Sequence, residues 1–182
     1  TAAKHAQEKG EPFLFCEPDA IPLKPGWLDS LDIHYRGRGA RYFGTIVPCG
    51  TPGLPARHLS GVAIYPVDAW NEMHAAIEKW PHVAFDLTTA EITVKQAFHS
   101  SIMQFLWGEK GNPPRFAENG IPGTSTFGLD YLRPEAVLFH RTKDGSLIRL
   151  LRKRAGLPTG EVHPIMVVFA FCNKDARLLI KS

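Results

Sequence analysis

Phe13-Leu14-Phe15-Cys16-Glu17-Pro18-Asp19-Ala20-Ile21-Pro22 is the stretch on which the fold turns. Four apolar residues in a row read as a short buried strand. Two acids separated by a proline follow directly. Pro18 biases Glu17 toward extended backbone, and side chains two apart on an extended chain point to the same side. Carboxylates gathered at the carboxyl end of a buried strand suit a hard divalent cation such as Mg²⁺ or Mn²⁺, which in turn holds phosphate. Glu17 and Asp19 also read as solvated turn residues, with Asp19 bonding its own backbone. Spacing alone leaves both readings open.

Upstream, Ala2 to Lys9 is rich in helix formers and Gly10 stands where a helix stops. Helix, tight turn and buried strand make half of a crossover unit, so an earlier strand is expected before Thr1. Downstream, Arg41–Pro48 and Arg57–Tyr65 carry aromatic and β-branched residues and read as strands, with a Pro/Gly-rich loop between them. Gly61 inside the second implies a bulge or a ligand that approaches the backbone closely. Asp68 is the expected N-cap of a helix with Trp70, Met73, Ile77 and Trp80 on its core face. A further helix is expected across Leu87–Trp107, bearing His99, Ser100 and Gln104. Asp86 stands before it as a candidate N-cap, and Glu91 falls early in the expected helix. Residues 108–129 form a long Gly/Pro-rich loop, functional or mobile. Ala136 to His140 reads as an apolar strand ending in histidine, followed by a basic turn and an amphipathic helix.

The segment Phe13–Asp29, with Glu-x-Asp, a proline and then Gly26-Trp27-Leu28, resembles the D-x-D neighbourhood of GT-A glycosyltransferases, nucleotide-sugar-dependent and family-2-like. Glu17 departs from the usual first Asp. The resemblance implies an α/β fold, a GT-A-like mixed sheet flanked by helices, of which this chain carries the later, metal- and acceptor-binding half. By resemblance Asp19 contacts the metal and Glu17 lies near the metal or the donor ribose. His58-Leu59-Ser60-Gly61-Val62-Ala63-Ile64-Tyr65 is similar to the acceptor-side strand of such enzymes. There His58 either touches donor phosphate or acceptor sugar, or is a structural histidine. His140-Arg141-Thr142-Lys143 is similar to the late element that closes the metal site, His140 as ligand and Lys143 on the leaving diphosphate. Neutral imidazole completes a Mn²⁺ shell and a cation offsets charge developing on the diphosphate. Asp86 then takes the base role of inverting members, while Gly61 and His99 edge the acceptor. The implied reaction moves a sugar from a nucleotide-diphosphate donor to an acceptor hydroxyl, carbohydrate or other.

At 182 residues the chain is long enough for one domain with a core. The expected division is 1–152 as a transferase domain lacking its first strands and 153–164 as a linker. Residues 165–182 then open a possible second domain of the same type in a longer or tandem protein; alternatively, the terminal strand joins the first sheet. A net charge of only +3, scattered along the chain, argues against a nucleic-acid partner. No apolar run reaches the ~20 residues of a membrane span. Three cysteines without close pairing imply neither a disulfide framework nor a zinc ribbon, so reduced thiols and a cytoplasmic setting are expected. Two other classes compete: a non-catalytic carbohydrate-binding or scaffold domain derived from a transferase, and a metal-dependent hydrolase or nucleotidyltransferase. The lack of a Gly-rich phosphate loop weighs against the latter.

Overall fold

The computed structural model describes residues 2–49, 53–107, 112–159 and 169–170. The chain is α/β, with mixed sheets and helices, and it divides into two compact units. Unit 1 comprises Thr1–Glu17, Leu28–Ser100 and Met166–Ser182; unit 2 comprises Pro18–Trp27 and Ser101–Ile165. Sequence reading treats 1–152 as a single domain, whereas the division falls between Glu17 and Asp19 and again after Ser100.

Unit 1 is built on a five-stranded sheet. Helix α1 (Ala2–Lys9) ends at Gly10, whose φ of 70° allows the turn into β1 (Phe13–Phe15). The central strands are β3 (Tyr42–Pro48) and β4 (Arg57–Tyr65), antiparallel to one another. Leu59 to Tyr65 is buried at every position, so β4 alternates between two covered faces rather than between core and water. A Cβ on Gly44 would lie 2.7 Å from the Ala63 side chain, so only glycine fits where β3 crosses β4. Strand β1 has antiparallel neighbours on both sides: β4, and β10 (Phe169–Ala170), which pairs with Phe13 and Leu14. The expected neighbour is a parallel crossover strand; the pairing with β10 agrees with the alternative in which the terminal strand joins the first sheet. Apart from 169–170, the expected second domain at 165–182 lies outside the described residues.

The expected helix over 87–107 is replaced by two short helices and two strands. These are α4 (Phe85–Thr88), α5 (Ala90–Gln96), β5 (Ala97–His99) and, in unit 2, β6 (Met103–Phe105). Strand β5 joins β3 in parallel register, Phe98 stacks on Phe43 with centroids 6.0 Å apart, and the Arg38 guanidinium lies over Phe98. Tertiary pairing of Ala97-Phe98-His99 thus overrides local helical tendency. Helix α2 (Trp27–Arg38) inserts Leu31, and α3 (Ala69–Lys79) contributes Ala69, Met73 and Ile77 to a core with Phe13, Tyr42 and Tyr65. Trp80 falls off this face and is half exposed. Asp68 precedes α3 without capping it, because its carboxylate accepts from Arg41 at 2.8 Å.

Unit 2 carries a three-stranded sheet ordered β2 (Ala20–Pro22), β9 (Leu138–His140), β6. Strand β9 is central, antiparallel to β2 and parallel to β6. Ile21, Phe116, Phe139 and Leu147 form its core, the last from α6 (Ser146–Arg154). This helix runs two residues past the expected start of the linker; residues 160–164 of that linker lie outside the described set. Strands β7 (Arg115–Phe116) and β8 (Thr126–Phe127) pair in parallel within the long loop, and a 3₁₀ turn follows at Leu129–Tyr131.

Candidate functional site

In unit 2 the chemistry collects at the end of β9. Antiparallel register sets Ala20 opposite His140, so Asp19, one residue before β2, emerges where β9 stops. Asp19 Oδ1 lies 3.3 Å from His140 Nε2 and Asp19 Oδ2 lies 3.3 Å from Lys143 Nζ. The Asp19 and His140 side chains are each only 9% exposed, while Lys143 reaches half into solvent. Both Asp19 oxygens are buried, and they face His140 and Lys143 at distances longer than the usual charge-assisted hydrogen bond. Burial by itself pushes the Asp19 carboxyl up. His140, and then Lys143, outweigh it and hold the carboxyl at about 2. Asp19 is therefore an anion at neutral pH.

The backbone at this corner is strained. Arg141, directly after His140, has φ of 113°, and it is the one non-glycine residue with positive φ among the described residues. The Arg141 guanidinium lies 4.2 Å from the Trp107 ring centre and 5.3 Å from that of Phe105, whose ring also meets His140 edge-on. Past Lys143 the chain turns at Gly145 in the left-handed region, and Asp144 accepts the Ser146 N–H at 3.0 Å to start α6. Lys143 and Asp144 line an open cleft of about 600 Å³ that also receives Arg115, Ser125 and Thr126. Two ligand atoms at adjacent corners of an octahedral shell with bonds of 2.0–2.1 Å stand ~3 Å apart. The Asp19–His140 separation therefore fits a divalent cation with little rearrangement.

Unit 1 holds a second acid and histidine. Continuing the β1–β4 register two residues past Phe15↔Ala63 sets Glu17 opposite Gly61. A Cβ there would run into the Glu17 carboxylate, so Gly61 is needed for a close approach by the protein's own side chain. His58 Nε2, from the start of β4, lies 3.6 Å from Asp86 Oδ2. Asp86 sits inside the first turn of α4 rather than ahead of it, and its Oδ1 accepts the Leu87 N–H at 3.0 Å. Burial raises the Asp86 carboxyl and the Glu17 charge raises it further, against the opposing pull of His58. Burial likewise pushes the neighbouring Cys16 thiol up to about 12, which makes it an inert core residue.

The structure brings Asp19, His140 and Lys143 together in unit 2, while His58, Gly61, Asp86 and Glu17, the expected further metal ligand, belong to unit 1. His99 is a correction: it stands on strand β5, not on a helix, and its Nδ1 accepts the Ile46 N–H at 3.0 Å. That bond satisfies backbone at the irregularity between Gly44 and Ile46. Ser100 and Gln104 leave the expected helix as well. Gln104 is buried and bonds the Tyr131 carbonyl and the Arg133 N–H. Glu91 lies exposed on α5. Trp107, Asp130, Tyr131 and Arg141 carry no signal of a site in the sequence; Trp107 and Tyr131 only flank the Gly/Pro-rich loop of residues 108–129.

Comparison of the chain with known proteins yields no match among family models, curated proteins or solved structures. No helix among the described residues is long and apolar enough to cross a membrane.

Proposed function

We propose that this chain belongs to a metal-dependent glycosyltransferase of the GT-A type and carries its metal- and acceptor-binding half. The observation that supports this reading is the buried, ionised Asp19 carboxylate facing His140 and Lys143 at 3.3 Å beside an open cleft. Asp19 and His140 would hold a Mn²⁺ or Mg²⁺ ion, and the resemblance adds Glu17, two residues earlier. When bound, the cation supplies charge neutralisation for a nucleotide diphosphate as it leaves the sugar. Lys143 adds a second positive charge from its exposed position in the turn before α6. His140 binds as neutral imidazole, so cation affinity falls as the ring protonates. Asp86 is the base in this reading. Within unit 1 its raised carboxyl lies 3.6 Å from His58, and the resemblance implies that it takes the acceptor proton.

Calorimetry with Mn²⁺, alone and with UDP, tests the reading on the wild type and on an Asp19→Ala, His140→Ala double variant. Binding tightened by UDP and lost in the variant is the expected result, with a fall of at least about a hundredfold for two ligands removed. Absence of Mn²⁺ binding to the wild type would instead favour a non-catalytic carbohydrate-binding domain. Binding unchanged in the double variant would put the cation elsewhere.

A further inference from the structure

Unit 2 has a second cleft, of about 530 Å³, whose rim is aromatic and whose polar groups do not belong to the Asp19 corner. Trp107, Ile121 and Tyr131 line it, 41%, 55% and 50% exposed. Single exposed apolar residues are ordinary on a protein surface, but three converging on one concavity mark a place for a ligand. Thr124, Thr126 and Asp130 contribute the polar lining.

The walls are held in place before any ligand arrives. The Trp107 ring is fixed by the Arg141 guanidinium at 4.2 Å and by Phe105 edge-on at 5.1 Å. Tyr131 meets Phe127 edge-on at 4.7 Å, and its carbonyl accepts from Gln104 Nε2 at 2.7 Å. Gln104 Oε1 in turn accepts the Arg133 N–H, so one buried amide on β6 anchors the segment that carries Tyr131. Two glycines bring the backbone together below. A Cβ on Gly120 would stand 2.9 Å from the Gly128 nitrogen, and one on Gly128 would strike the Asp130 carboxylate. Aromatic walls already held by their neighbours lower the ordering cost of binding.

We propose that this cleft binds an uncharged pyranose. A pyranose has an apolar C–H face, which suits the exposed faces of Trp107 and Tyr131, and a rim of hydroxyls, which suits the Asp130 carboxylate and the threonine hydroxyls. Aromatic grooves also accept Pro-rich peptides. Such peptides offer few donors to a carboxylate and two threonines, and anionic ligands meet repulsion from Asp130. Thr124 and Thr126 line this cleft and the Lys143 cleft alike, so the sugar lies next to the phosphate end of unit 2. The assignment of the sugar as the acceptor rests on the transferase reading; the binding itself does not.

Saturation-transfer NMR on the full chain, in EDTA, with a panel of neutral methyl pyranosides and disaccharides tests it, alongside a Pro-rich peptide. At least one pyranoside is expected to bind without metal, receiving saturation on its C–H face. Its affinity should fall by about tenfold or more in Trp107→Ala and in Asp130→Asn. Tyr131→Ala is the third arm, and unchanged near-ultraviolet circular dichroism identifies the variants that stay folded. No pyranoside binding at millimolar concentration, binding undiminished in every folded variant, or binding of the peptide alone would each overturn the proposal. Sugar binding that persists when Mn²⁺ binding is absent would overturn the transferase reading and leave this one standing.

Discussion

Asp19 and Asp86 are each a mostly buried carboxylate beside a histidine, yet they titrate in opposite directions. Burial pushes both up, so burial does not distinguish them. Around Asp19 the histidine stands closer, 3.3 Å against 3.6 Å, and a lysine adds a second cation. Around Asp86 the further charged neighbour is another acid, Glu17. The first set of neighbours keeps an anion fixed, as a cation ligand must be. The second makes a carboxyl readier to hold a proton, as a base that must accept one should be. Two acid–histidine pairs of similar composition thus acquire different chemistry from their next-nearest charge.

The largest test of this difference is stability against pH in two variants, Asp19→Asn and Asp86→Asn. The folded Asp19 carboxyl, at about 2, lies below the ordinary unfolded value near 3.9. Its stabilisation is therefore fully present above about pH 4 and is lost as pH falls through 2. Asp19→Asn should cost up to about 2 kcal/mol at pH 7, with the gap to wild type closing below pH 4. The folded Asp86 carboxyl lies above its unfolded value, so the charged form weakens the fold. That cost is full above the folded value and disappears as pH falls toward the unfolded one. Asp86→Asn should therefore equal or exceed wild type at pH 7 and lose any advantage below about pH 4. Asparagine keeps an acceptor for the Leu87 N–H, so the comparison isolates the charge. Urea midpoints across pH measure both, and two changes of the same sign at pH 7 would break the contrast.

A smaller effect separates the two cations at Asp19. His140 lowers that carboxyl more than Lys143 does, and Lys143 has solvent to screen it. Carboxyl NMR titration should find Asp19 raised in both His140→Gln and Lys143→Met, and further in the first. Equal shifts would mean that the exposed ammonium acts as strongly as the buried ring.

Much of this was legible because it rests on local signals. Gly10 stops α1 through its positive φ, the apolar run at Phe13 makes a buried strand, and Ala136 to His140 presents its histidine at a strand end. Asp19 and His140 were named together from the sequence, and the β2–β9 register joins them. What failed depended on partners far along the chain. Nothing local turns Ala97-Phe98-His99 from helix to strand; Tyr42-Phe43-Gly44 does. Nor does the sequence divide the chain between Glu17 and Asp19, because the two segments of unit 2 are far apart in the chain. Gly61 in a strand suggests a bulge or a nearby ligand, but the group that approaches it is the Glu17 carboxylate. The strain at Arg141 had no signal at all, since its identity does not suggest positive φ.

Glu17 supplies the smallest and most specific test of the contrast. Its charge raises the Asp86 carboxyl, whereas His58 lowers it, and the His58 influence ranks above that of Glu17. Glu17→Gln should therefore lower the Asp86 titration, by less than His58→Gln raises it. Gly61→Ala offers a second route to the same result. Its Cβ would occupy the space of the Glu17 carboxylate, which sits on the flexible end of a side chain and can swing away. If displacement carries the charge away from Asp86, Gly61→Ala lowers the Asp86 carboxyl in the direction of Glu17→Gln, with the glutamate still present. A shift in Glu17→Gln without one in Gly61→Ala would mean that the carboxylate relocates at constant distance from Asp86. No shift in either would remove Glu17 from the account and leave Lys143 and the closer histidine beside Asp19 to explain why the two aspartates differ.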